Sequence, residues 1–258
     1  DVPGAEIEHY KNKVKTDFDA LDKDIEWEQI VYKSGAKQPR LTAYYGDKGT
    51  EYVYSGIKNK PKPWTPELLK LKKKVENITG YKFNSAVVNK YRSGKDAIGF
   101  HPDNESSLTK KGSKEGPVIA SVSFGSKRDF ILKKQIPLPG GKWKAGKEIA
   151  RFELGDGDVF LMMGGTQKNY VHGINKESTT DPRINVTFRR TNYGQEDPRV
   201  EIEPVAKAGK VVEDIISTEK PDAKKPLIDI DKLEFQSVSN EHVMASREFR
   251  RILEDHPY

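Results

Sequence analysis

The chain has 258 residues, 34% hydrophobic and 33% charged, with a formal net charge of +6, a balance that suits one medium-sized domain with polar extensions and disfavours two enzyme-sized domains. It contains no cysteine, which excludes disulfide frameworks, thiolate zinc sites and thiol catalysis. No stretch approaches the roughly 20 apolar residues of a membrane helix, and the acidic N-terminus has no basic-then-apolar signal region, so a soluble protein is expected, read as a trimmed form because it starts at Asp1 rather than Met.

Residues 1–30 carry nine acids against four bases and are expected to be an acidic N-terminal segment. The domain proper is expected over 31–193. There, two-residue periodicity marks half-buried strands at Leu41–Tyr45, Tyr52–Ser55, Ala86–Tyr91, Val118–Phe124, Phe130–Lys134, Val159–Met163 and Ile184–Arg189. One helix interrupts them: Thr65 as N-cap, Pro66 in the first turn, an apolar stripe of Leu68, Leu71, Val75 and Ile78, and a stop at Gly80. Many short strands separated by turns such as Pro139-Gly140-Gly141 and Gly155-Asp156-Gly157 predict a mainly β (α+β) fold, a sandwich or jelly roll with one or two supporting helices. Residues 194–258 are expected to be a linker and charged extension. Within it, Glu241–Leu253, with Val243, Phe249 and Ile252, reads as a short amphipathic helix or a disordered tail.

The charge is unevenly spread. Residues 196–258 hold fifteen acids against ten bases, which leaves 31 bases and 15 acids between the two acidic ends. The bases cluster at Lys58, Lys60, Lys62, Lys70 and Lys72–Lys74, and again at Lys110, Lys111, Lys114, Lys127, Arg128, Lys133, Lys134, Lys142, Lys144 and Lys147. Such a segment attracts a polyanion, most simply nucleic-acid phosphates, although a solvated lysine face has the same composition.

Of five histidines, His9, His242 and His256 fall in the polar extensions, leaving His101 and His172 as candidate ligands. Asp103 follows His101 by two positions, and two imidazoles with one carboxylate form the set by which non-haem Fe(II) oxygenases hold iron with open positions. A lone His-x-Asp is weak, so the context matters. The strand Arg183–Arg189 alternates Ile, Val and Phe with Arg, Asn, Thr and Arg, and Val87, Asn89 and Tyr91 alternate likewise. The second face is either a solvated surface or the wall of a pocket suited to a dicarboxylate, for which arginine supplies a forked donor.

Residues 39–191, about three-fifths of the chain, resemble the AlkB family of Fe(II)- and 2-oxoglutarate-dependent dioxygenases, especially its eukaryotic nucleic-acid repair members. The matching text is Pro39-Arg40-Leu41-Thr42-Ala43-Tyr44-Tyr45-Gly46, Phe83-Asn84, Asn89-Lys90-Tyr91, Asp96 to Glu105, Ile119 to Gly125 and Pro182 to Arg189. The resemblance implies a double-stranded β-helix, with His101, Asp103 and His172 as iron ligands. It implies that Arg183, helped by Tyr91 and Asn185, pairs with the distal carboxylate of 2-oxoglutarate, while Asn89 and Arg189 sit near its other end. The implied reaction uses Fe(II), 2-oxoglutarate and O2 to hydroxylate an N-methyl group on bases such as 1-methyladenine and 3-methylcytosine. The hemiaminal then loses formaldehyde.

Such an enzyme takes single strands or flips the base out of a duplex. The resemblance places Tyr52, Tyr54 and Ser55 in a substrate lid, with Tyr54 stacking on the base, and Glu105 facing the base; ordinary strand residues are the alternative reading of the two tyrosines. Val31-Tyr32-Lys33-Ser34 lies where duplex-preferring relatives carry a wedge, which makes Tyr32 either that wedge or a buried loop residue. Arg40 and the lysines of 110–147 are candidate phosphate contacts. Asn104 stands where the closest repair members carry a second aspartate, and Met163-Gly164-Gly165-Thr166-Gln167 is more like the members that prefer single strands and RNA. The expected partner is DNA or RNA with alkylated bases, the expected state a monomer, and the expected location nuclear or cytoplasmic. A 2-oxoglutarate oxygenase acting on protein or on a specialised RNA base, and a non-catalytic nucleic-acid-binding module, are the alternative readings.

Overall fold

In the computed structural model the described residues are 2–32, 34–54, 57–109 and 116–191, without the side chains of 52–54 and 57–59. The chain divides at Gly209 into two units, and every described residue belongs to the first; the expected linker and the helix at Glu241–Leu253 lie outside the described residues. In order, the elements are β1 (Glu6–Tyr10), α1 (Phe18–Asp24), β2 (Leu41–Gly46), β3 (Tyr52–Tyr54), β4 (Ile57–Asn59), α2 (Pro66–Thr79), β5 (Ser85–Tyr91) and β6 (Ile98–His101), followed by β7 (Ile119–Gly125), β8 (Arg128–Pro137), β9 (Trp143–Leu154), β10 (Val159–Met163), α3 (Thr166–Asn169), β11 (Tyr170–Ile174) and β12 (Arg183–Arg189). A six-stranded sheet has the order β1-β10-β7-β12-β5-β2, a four-stranded sheet the order β6-β11-β8-β9, and β3 and β4 form a separate ribbon. All these ladders are antiparallel.

Helix α2 forms as its sequence dictates. The Thr65 side chain accepts the Leu68 N–H at 3.3 Å, Pro66 fills a first-turn position where no N–H is needed, and Gly80 closes the helix at φ 76° with its N–H on the Glu76 carbonyl. Leu68, Leu71 and Val75 are fully buried, together with Leu21 of α1 and Ile25 just after it. These side chains cover one face of the larger sheet, against Val88, Ala120, Val122, Ile184, Val186 and Phe188.

Alternation sends the intervening residues of the same strands to the opposite face. Ile119, Phe160 and Met162 pack there with Phe130, Leu132 and Ile174 of the smaller sheet. The two sheets therefore face each other in the expected jelly-roll arrangement, the double-stranded β-helix, and the larger sheet is buried on both sides.

Residues 6–25 are not a detached acidic extension. Strand β1 pairs with β10 from Glu6↔Met163 to Tyr10↔Val159, Val14 and Leu21 are core residues, and His9 bonds to Asp158 at 3.0 Å. The acids of this segment lie on an edge strand and on helix surfaces, where one wet side hides the buried side from a composition count. Arg128, counted with the basic cluster, is likewise 1% exposed and belongs to the interior.

Candidate active site

A cavity of about 380 Å³ opens between the sheets, lined by both polar strand faces identified in the sequence. Pairing brings them into register: Tyr91 opposes Arg183, Asn89 opposes Asn185, and Val87 opposes Thr187. The side chains of the second face thus line a pocket rather than a solvated surface. Ser123 and Ser121 of β7 continue the same rows.

Two strands of the smaller sheet supply the histidines. His172 on β11 is the direct cross-strand partner of His101 on β6, and the rings lie 4.5 Å apart. Gly173 permits the close approach, since a Cβ there would meet the Ile98 carbonyl at 3.0 Å. Two residues beyond His101, Asp103 turns inward with its Oδ2 3.6 Å from His172 Nε2 and its Oδ1 3.9 Å from His101 Nε2. One ligand atom from each of the three falls within 4.8 Å of the others.

The surroundings prepare these atoms as donors. The Gly99 carbonyl accepts His101 Nδ1–H at 2.8 Å, which fixes the tautomer that leaves the Nε2 lone pair toward Asp103. Burial, with His101 alongside, pushes the His172 imidazole down to about 3, so it is neutral at pH 7; Phe130 stacks on it with centroids 5.0 Å apart. Burial opposes ionisation of Asp103, but the Arg189 guanidinium beside it outweighs that and holds the carboxyl below its ordinary range. Arg189 Nη2 donates to Asp103 Oδ1, and Gln167 Oε1 accepts the Asp103 N–H at 2.8 Å. Two imidazoles and one carboxylate, converging on one point, fit a divalent first-row metal with positions left for other ligands.

Across the cavity, Arg183 is 1% exposed. Its Nη2 donates to Ser123 Oγ at 2.8 Å, while Nε and Nη1 have no hydrogen-bond partner. A buried guanidinium with two unused donors on a cavity is matched by a carboxylate. Burial, with a smaller contribution from Arg128, lowers its pKa from the ordinary arginine value. The donor set therefore fits iron at one place and a dicarboxylate at the other.

The remaining expected residues divide. Tyr91 and Asn89 line the cavity. Asn185 also lines it, but its amide donates to Ser121 Oγ and the Val122 carbonyl at 2.7 and 3.0 Å, so it holds the wall rather than offering a donor. Arg189, expected near the cosubstrate, has Asp103 as its partner and approaches Glu105 at 3.6 Å. Glu105 lines the cavity, and burial, partly offset by Arg189, raises its pKa. Arg40 is not on a phosphate track: at 7% exposure it donates to Asn89 Oδ1 at 2.9 Å and to the Ala97 carbonyl, which makes it part of the wall. Asn104 is exposed. Tyr52 and Tyr54 are positions of β3, of whose side chains nothing is described, and Ser55, Lys110, Lys111 and Lys114 lie outside the described residues.

Tyr32 is not buried. Residues 36–38 pair back on residues 30–32, with the Gln38 N–H on the Ile30 carbonyl and the Tyr32 N–H on the Ala36 carbonyl. Ile30 and Gln38 line the cavity, and beyond them Val31 and Tyr32 are 56% and 47% exposed. Residues missed in the sequence are Gln167, Phe130, Ser121 and Ser123. The serines alternate with Ala120, Val122 and Phe124, a legible signal; Gln167 carries none.

The profile of the 2OG-Fe(II) oxygenase superfamily matches residues 10–189. The chain is 40% identical over 191 residues to "Alpha-ketoglutarate-dependent dioxygenase alkB homolog 3" of Bos taurus, covering 70% of this chain and 62% of that protein. It is 34% identical over 188 residues to "DNA oxidative demethylase ALKBH2" of Mus musculus, covering 68% and 76%, and 33% identical over 180 residues to the protein of that name from Homo sapiens, covering 67% of each. The chain thus spans less than two thirds of the length of the first of these relatives. By profile, by relatives and by a metal-ligand triad facing an arginine across one cavity, the chain belongs to the 2OG-Fe(II) oxygenase superfamily and, within it, to the AlkB family.

Proposed function

We propose that the protein is an Fe(II)- and 2-oxoglutarate-dependent oxidative demethylase of N-alkylated nucleic-acid bases such as 1-methyladenine and 3-methylcytosine. The observation that carries this reading is the single cavity holding His101, Asp103 and His172 together with the unused donors of Arg183, beside a rim that presents Val31 and Tyr32. The names of the mouse and human relatives, DNA oxidative demethylases, support the substrate class.

Iron bound at His101, Asp103 and His172 would couple oxidative decarboxylation of 2-oxoglutarate by O2 to insertion of one oxygen atom into an N-methyl C–H bond. Arg183 fixes the far carboxylate and so orients the cosubstrate along the cavity. Arg189 keeps Asp103 ionised, and Gln167 holds its backbone N–H. The hydroxymethyl product breaks its N–C bond, the hydroxyl proton goes to the base nitrogen, and formaldehyde leaves.

A base inside a duplex reaches this cavity only by flipping, at about a few kcal/mol. An exposed apolar tip at the rim suits the gap left behind, while exposed Lys134, Lys142, Lys144 and Lys147 supply positive charge for the backbone. Tyr32→Ala is expected to lower activity on duplex about tenfold and on single strands less than about twofold, measured by demethylation rates on matched substrates. Equal losses would remove the wedge. The substrate class is tested by succinate formation from 2-oxoglutarate with methylated oligonucleotide, unmethylated oligonucleotide or methylated peptide. Stimulation by the methylated oligonucleotide alone is expected; stimulation by the peptide alone would assign the site to protein.

A further inference from the structure

Arg128 is a buried guanidinium that none of these roles uses. It opens β8 at 1% exposure, and a charge so placed persists only with partners, which here show what it holds. Nη2 donates to the carbonyls of Asp96, at 3.1 Å, and Asn175; Nη1 reaches the Ser93 carbonyl at 3.5 Å; and Nε lies 2.9 Å from Glu177 Oε1. These acceptors belong to two loops, 92–97 and 175–182. The loops also join directly, the Glu177 N–H to the Gly94 carbonyl and the Gly94 N–H to the Thr179 carbonyl. They meet so closely that a Cβ at Gly94 would lie 2.2 Å from the Glu177 carbonyl oxygen.

The two clamped loops lead to the two residues at the anion end of the cavity. Tyr91 is the last residue of β5, just before the first loop, and Arg183 is the first residue of β12, just after the second. They form a cross-strand pair. The Tyr91 ring has two guanidinium neighbours, Arg183 at 5.2 Å and Arg128 at 5.5 Å from its centroid. Arg128 thus touches the ring that lines the cavity and ties down the segments that place Tyr91 and Arg183. It is not itself part of the cavity lining.

We propose that Arg128 is a positioning residue that sets the depth of the anion end of the cavity, and with it the preference for a five-carbon 2-oxo dicarboxylate over a longer homologue. The proposal rests on the reading of Arg183 as the partner of the distal carboxylate. One methylene more in the ligand shifts that carboxylate by about a carbon–carbon bond, a displacement that a rigid ring and guanidinium reject and a loosened pair accepts.

The test is isothermal titration of the full chain, loaded with Mn(II), with 2-oxoglutarate and with 2-oxoadipate. Arg128→Met is expected to weaken 2-oxoglutarate about tenfold and to shrink its advantage over 2-oxoadipate at least about threefold, with Mn(II) affinity held within about twofold. Arg128→Lys is expected not to restore the preference, because one ammonium cannot replace a fork that spans two loops. Proportional weakening of both acids, or no change in either, overturns the proposal. If the Arg128 variants do not fold, Glu177→Gln, at a side chain 34% exposed, is expected to narrow the same preference about twofold, and an unchanged preference overturns the proposal. Arg183→Met separates the two levels. If it leaves 2-oxoglutarate binding intact, the reading of the site fails; if it removes binding while the Arg128 variants keep both affinity and preference, only the role of Arg128 fails.

Discussion

Asp103→Ala is expected to remove turnover while leaving salt-sensitive nucleic-acid binding within about twofold. The carboxylate is 2% exposed and converges with both imidazoles, so no phosphate touches it and no neighbouring acid replaces it without moving. Loss even of a group behind a metal ligand costs about 10–100-fold in metal affinity, and removal of a ligand itself is expected to exceed that range. The substitution also takes from Arg189 the buried carboxylate to which its Nη2 donates, with Glu105 staying 3.6 Å from Nη1; breaking a buried charge pair destabilises by up to about 3–5 kcal/mol. Asp103→Asn, which keeps an oxygen acceptor, serves as the control: it should recover part of the thermal stability but not the metal affinity. Mn(II) titration and thermal melting together check this. Turnover that survives in either variant would contradict the assignment of the metal centre.

Arg183→Met is expected to weaken 2-oxoglutarate binding about a hundredfold, since truncating one side of a buried, hydrogen-bonded charge pair costs about 2–5 kcal/mol. The guanidinium has one bond, to Ser123 Oγ, and two donors without partners. A lysine keeps the charge but not the fork, so Arg183→Lys should recover little. Mn(II) affinity should stay within about twofold, because Arg183 lies outside the metal-ligand triad. Calorimetric titration reads both quantities. Unchanged 2-oxoglutarate affinity would remove the cosubstrate from this end of the cavity.

What the sequence made legible follows from burial. Helix α2 carries its own start and stop, with Thr65, Pro66 and Gly80 at the positions the structure uses. Strand β12 is legible because one side faces an apolar core and the other a polar cavity, so its alternation survives full burial. Strand β11 is buried at every position and has no cavity side made of charges, which leaves Tyr-Val-His-Gly-Ile without a period to read. Strand β9 lies at a sheet edge with most positions exposed, and Lys, Glu and Gly dilute its pattern; β1, also at an edge, is only five residues long and has two glutamates exposed and no position fully buried. Helix α1, seven residues long, is too short to show a stripe.

The same physics divides the site. His101, Asp103, His172 and Arg183 are legible because their chemistry is rare in a core and needs a reason. Arg40 and Arg128 have the composition of a phosphate-binding surface, yet each is buried with carbonyl acceptors from distant segments. Only the fold brings those acceptors to them. Gln167 is in the same position: its amide oxygen, carried on α3, accepts the Asp103 N–H across 64 residues of sequence.

The most direct test of the central claim is mass spectrometry of oligonucleotides bearing 1-methyladenine or 3-methylcytosine, single-stranded and duplex, after incubation with the protein, Fe(II), 2-oxoglutarate and O2. The predicted result is loss of the methyl mass only when every component is present, with duplex turnover sensitive to Tyr32. Retention of the methyl mass while 2-oxoglutarate is still converted to succinate would contradict demethylation of these bases.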